Sequence, residues 1–124
     1  MTTKRIPGTS TIEKVNDPLQ DILDQLPEYE AEPYGRSIRH RVRGRTFLYS
    51  DPDSTRLIVK LKPEEAAAVS AHDDRIEPWD NNLGRDHGWV VIGMPQDASK
   101  ARWQEVAGWI ETSYCQVAPK ILLG

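Results

Sequence analysis

The sequence predicts an α+β fold in which an antiparallel sheet is covered by helices on one face. Three observations lead there. Apolar and cationic residues alternate with a period of two between residues 36 and 43 and again between 56 and 62, the pattern of strands with one buried face. Apolar residues recur at helical spacing near both ends of the chain. Gly, Pro, Asp and Asn punctuate the segments between.

Taken in order, the first helix starts at Asp17-Pro18, an N-cap followed by a first-position proline, with Gln20 placed as capping-box partner. Val15, Leu19, Ile22, Leu23 and Leu26 form its apolar stripe, and Pro27 ends it. From Tyr34 the period becomes two. Tyr34, Arg36, Ile38, His40 and Val42 point inward, and Gly35, Ser37, Arg39, Arg41 and Arg43 outward. A two-residue turn at Gly44-Arg45 sets Val42 opposite Phe47 and His40 opposite Tyr49, so Tyr34, Phe47 and Tyr49 are expected on the inner face. A turn over 51–54 leads to a third strand, where Leu57, Val59 and Leu61 face in and Arg56, Ile58, Lys60 and Lys62 face out. Pro63-Glu64-Glu65 opens a short second helix. Residues 72–87 read as a loop or broken strand around Trp79, and Trp89 to Ile92 as a strand buried on both faces. The last helix begins near Asp97 or Ser99, carries Trp103, Val106, Ala107, Ile110, Tyr114 and Val117 inward, and stops before Pro119.

Length and composition narrow the function classes. At 124 residues the chain can bury one core; 1–14 reads as a flexible N-terminal tail and 15–124 as a single domain. Charged residues make up 28% and the mean hydropathy is -0.61, which describes a water-soluble globule. No apolar run approaches the roughly 20 residues of a membrane span, and Lys4 and Arg5 lack the apolar stretch of a secretory signal. The single cysteine, Cys115, excludes an internal disulfide, so a cytoplasmic location is expected. Net charge is -3, but residues 34–62 hold eight Lys or Arg against Asp51 and Asp53, whereas residues 13–32 hold seven acids against Lys14.

Three stretches together resemble the MmcQ/YjbR family: Arg41-Val42-Arg43-Gly44-Arg45-Thr46-Phe47, Gly88-Trp89-Val90-Val91-Ile92, and Trp103 through Ser113-Tyr114 to Val117-Ala118-Pro119-Lys120. The resemblance spans residues 15–123. It implies a YjbR-like α+β domain, related in shape to frataxin-like and secretion-chaperone-like folds. It also brings a DNA-binding label, and no catalytic residues. Glu32-Pro33-Tyr34-Gly35 lacks the Trp-Gly often found before the first strand in that family, and Arg45 stands where Lys is usual.

The first candidate surface is the cationic face of Arg39, Arg41, Arg43, Arg45, Arg56 and Lys60, whose guanidinium forks suit phosphate oxygens of DNA or another anionic partner. Its plain reading is a solvated strand face, offset in part by the acidic first helix. Two features count against nucleic acid: a pI near 5.6 and no aromatic platform expected beside the arginines. A second candidate is the loop carrying Trp79, Asp80, Asn81, Asn82, Arg85, Asp86, His87 and Trp89. It can line a small-molecule pocket through Trp79, Arg85, His87 and Trp89, or simply pin an irregular loop. A protein partner on the same sheet or on the first helix is a third reading, with a monomer as the expected state. His40 reads as a buried structural histidine and Cys115 as a half-buried filler. Neither His72-Asp73-Asp74 nor Asp86-His87 has a spaced partner for a metal, and no nucleophile motif or phosphate loop occurs, so no metal, cofactor or enzyme activity is expected.

Overall fold

The computed structural model describes residues 17–79 and 87–122. Helix α1 (Pro18–Leu23) starts where the Asp17 carboxylate accepts the Gln20 N–H at 3.1 Å. The Gln20 amide reaches forward to Asp24 (2.7 Å) instead of back to the cap, so the capping box is half formed. Strands β1 (Tyr29–Tyr34), β2 (Ser37–Val42), β3 (Arg45–Ser50) and β4 (Arg56–Lys60) then run as a meander. Helix α2 (Pro63–His72) crosses to β5 (Ile76–Pro78), and β6 (Trp89–Gly93) returns between β5 and β4. Helix α3 (Lys100–Val117), capped by the Ser99 hydroxyl, and a short 3-10 turn (Lys120–Leu122) follow. The result is an antiparallel six-stranded sheet in the order β1-β2-β3-β4-β6-β5, with the helices on one face.

The core lies between that face and the helices. Leu57, Val59, Leu61, Val90 and Ile92 are fully buried there against Val106, Ile110 and Tyr114 of α3, with Leu19 and Leu23 of α1 closing one end. The predicted inward set of the third strand and the last helix thus stands. Segment 72–87 does contain a strand, the three-residue β5, at the sheet's edge, where Pro78 is tolerated because its missing N–H faces no neighbour.

Two expectations near the first hairpin are corrected. The expected strand from Tyr34 is two strands: β1 precedes it, and the chain reverses at Gly35-Arg36 so that Tyr34 pairs with Ser37. The second hairpin turns at Arg43-Gly44, not Gly44-Arg45. Both residues have positive φ (50° and 81°), the geometry whose twist matches a two-residue hairpin. Val42 therefore faces Arg45. A bulge then inserts Phe47 between the Arg41↔Thr46 and His40↔Leu48 pairs, shifting the register by one residue. Phe47 stays in the core, while Tyr49, now opposite Arg39, moves to the other face.

The bulge also breaks the β3–β4 ladder beyond Leu48↔Val59. The Phe47 carbonyl and the Lys60 N–H are held apart by a side chain of α3: the Ser113 hydroxyl donates to Phe47 O (2.6 Å) and accepts from Lys60 N (2.9 Å). Gln116 donates to Lys60 O at 2.7 Å. Buried backbone groups need partners, and here the helix supplies what the neighbouring strand does not.

His40 is the one buried histidine among the described residues, 3% exposed. It hydrogen-bonds with the Tyr29 hydroxyl (3.1 Å) and the Ser50 hydroxyl (2.8 Å), and burial pushes its pKa down to about 4. It is a neutral, satisfied core group, as the alternation predicts.

Candidate functional site

No described helix lies on the second face of the sheet, and strand alternation decides which side chains it displays. A single cross-strand row runs Glu32, Arg39, Tyr49, Ile58, Val91, Glu77 through all six strands. Arg41 and Glu30 flank it on one side, Tyr34 on the other, and Lys60 pairs with Trp89 further along. Trp79 donates its backbone N–H to Trp89 O at 3.0 Å, extending the β5–β6 pairing by one residue.

The arginines are on this surface but they are not unpaired. Arg39 and Arg41 meet glutamates of β1, and Arg43 meets Glu28, the residue just before that strand. Arg43 forks onto Glu28 through two bonds of 2.7 and 2.9 Å. Arg39 donates through Nε (3.0 Å) and Nη2 to Glu32 Oε1, the same oxygen that Arg41 Nη2 approaches at 3.1 Å; Glu30 stands 4.0 Å from Arg41. Hydrogen bonding from Arg39 holds the Glu32 carboxyl below its ordinary range, and Arg43 does the same to Glu28. The expected uniform cationic face is therefore corrected to an ion-paired ladder. The offsetting acids come from β1 and from Glu28 just before it, not from α1. Their signal was in the sequence: Glu28, Glu30 and Glu32 mirror Arg43, Arg41 and Arg39 about the Gly35-Arg36 turn.

The other anion candidates are dispersed. Arg45 faces Val42 across the hairpin and is exposed away from the Arg39–Arg41 pair. Arg56 is exposed opposite Gly93, and Lys60 is half-buried beside Trp89; neither forms an ion pair among the described residues.

Beside the ion pairs lies an aromatic platform, which corrects the expected inward placement of Tyr34 and Tyr49. Tyr34 and Tyr49 have ring centroids 5.7 Å apart, Tyr49 and Trp79 5.4 Å, Tyr49 and Trp89 5.9 Å, and Trp79 and Trp89 5.7 Å. These rings cover Ile58, which is 6% exposed although it points away from the helices. Tyr34 is 50% exposed, and the Arg39 guanidinium stacks over its ring at 4.5 Å.

Of the expected small-molecule loop, Trp79 and Trp89 come together in this platform, His87 is exposed just before β6, and Arg85 lies outside the described residues. A cavity of about 130 Å³ beside Trp89, lined by Pro63, Ala66, Pro78 and Gly88, is below the roughly 300 Å³ at which ligand pockets begin. Asp73 is engaged by Arg102 at 2.6 Å, and no three His, Cys, Asp or Glu among the described residues are placed to hold a metal. Cys115 is exposed on α3, which corrects the half-buried reading. No described helix is long and apolar enough to cross a membrane.

Fold and site together define an α+β domain with a helix-backed antiparallel sheet whose other face is aromatic and ion-paired. The chain belongs to the YjbR family, which matches residues 24–116. Its fold is similar to that in the crystal structure of Deinococcus radiodurans protein DR2400, described as a DUF419 domain. The TM-score is 0.65 and the identity 23%, covering 80% of this chain and 75% of that one. No curated protein matches the sequence.

Proposed function

We propose that this is a non-enzymatic binding domain whose second sheet face, on which no described helix lies, holds single-stranded nucleic acid by stacking. The observation that carries the reading is the contiguous Tyr34-Tyr49-Trp79-Trp89 platform with Arg39 at its end. Aromatic side chains on an open sheet face can stack two or three unpaired bases, each worth about 1–3 kcal/mol. The platform answers one of the two objections raised by the sequence, and the ladder sharpens the other. With Arg39, Arg41 and Arg43 already paired to glutamates, electrostatic attraction is a minor share. The domain then differs from a duplex-binding protein, whose affinity comes mainly from phosphate contacts and falls steeply with salt.

The test is an anisotropy titration of a labelled single-stranded oligonucleotide and the matching duplex, at two salt concentrations, with Trp79→Ala as the variant. The expected outcome is single-strand preference, shallow salt dependence, and weakening of about fivefold to a hundredfold in the variant. Duplex preference, or binding indifferent to Trp79→Ala, overturns the reading. A protein partner meeting the same Trp, Tyr and Arg surface would instead leave both oligonucleotides unbound.

A further inference from the structure

The arrangement around Glu32 deepens that reading and rests on it. Two guanidinium groups on neighbouring positions of one strand face, Arg39 and Arg41, converge on a single oxygen, Glu32 Oε1. One carboxylate thus sits between two cations, which leaves the cluster with one positive charge in excess before the more distant Glu30 is counted. The side chains are preformed: the three are 26%, 27% and 34% exposed, held against the sheet instead of waving in solvent. Arg39 is braced on the Tyr34 ring at 4.5 Å, which fixes its fork at the margin of the aromatic platform.

We infer that Glu32 occupies a phosphate seat: a phosphodiester of the stacked strand displaces the Glu32 carboxylate and takes its place between Arg39 and Arg41. The chemistry matches. A phosphate offers two anionic oxygens where the carboxylate now presents one to both forks, and bidentate guanidinium–phosphate pairing is at least as favourable as the pairing it replaces. The location matches as well, because a base stacked on Tyr34 or Tyr49 brings its backbone to the Arg39 end of the platform. Glu32 then acts as an internal competitor. It keeps polyanions that cannot stack from settling on the arginines, and it yields to a strand whose bases supply the stacking energy.

The experiment uses the full chain and a labelled oligothymidine, comparing wild type with Glu32→Gln, Arg41→Gln and Trp79→Ala across a salt series. Glu32→Gln retains the strand residue's size and removes the competing charge. It should tighten binding by about fivefold, the scale of an exposed ion pair, and steepen the plot of log affinity against log salt by about 0.7, one single-strand phosphate contact. Arg41→Gln should weaken binding and flatten the same plot. If Trp79→Ala loses affinity while Glu32→Gln matches wild type in both affinity and salt slope, the phosphate seat is overturned and the stacking platform stands. If neither wild type nor Glu32→Gln binds, both fall.

Discussion

The two faces of this sheet are built from the same strands and solve burial in opposite ways. On the helix side, aliphatic residues of β4 and β6 are sealed by α3 and α2 and reach zero exposure, and the polar groups among them, His40 and Ser113, have all their partners inside the protein. On the other side nothing described covers the strands, so the face covers itself: aromatic rings lie over Ile58, and Arg39, Arg41 and Arg43 each lie against a glutamate. The first arrangement spends its side chains on stability. The second leaves rings and charges half-exposed, where a partner can still reach them.

The contrast can be broken most sharply from the inside. Phe47→Ala empties a fully buried ring site between Tyr29 and Tyr114 and should cost about 3–5 kcal/mol in urea unfolding. Acid should come next. His40 has a folded pKa of about 4 against 6.5 in the unfolded chain, so between those values the unfolded state takes up the proton first. Its contribution is complete above pH 6.5 and shrinks as pH falls toward 4, a loss of about 3 kcal/mol. Denaturation at pH 7, 5.5 and 4 should show it, and His40→Gln should flatten the dependence. Ser113→Ala strands the Phe47 carbonyl and the Lys60 N–H together and should cost about 1–3 kcal/mol, read as a lower unfolding midpoint. The smallest effect belongs to the other face. Arg43→Ala removes an exposed fork to Glu28 and should leave the unfolding midpoint nearly unchanged, the more so in high salt. A large loss there would mean that the ladder is structural and the contrast between faces is false.

Much of the covered face was legible because one physical rule, period-matched burial, governs it. Leu57, Val59, Leu61 and the α3 stripe follow directly from spacing, as does the Asp17 cap, whereas the start of α3 stays open between Asp97 and Ser99 until the structure places the cap at Ser99. The family resemblance added the fold. The candidate face was read less well, for two reasons. Tyr29–Tyr34 contains Pro and three charged or small residues of low strand propensity, and its glutamates make sense only when set against arginines from the next strand. The second reason is parity. A turn displaced by one residue and a bulge at Phe47 leave the core residues buried yet carry Tyr49 across the sheet, and no spacing rule marks a bulge. Tyr34 crossed for a simpler reason, the reversal at Gly35-Arg36.

The serine wedge has a consequence for the order of assembly. Strands β3 and β4 are neighbours in sequence and can zip early, but their last rung has no direct bond to make; it waits for a hydroxyl 53 residues beyond Lys60. Closing that rung and docking the final helix are therefore one event. The Lys60 amide should exchange its hydrogen with solvent only as fast as α3 detaches, and exchange at the rate of a fraying strand end would show the two steps to be separate.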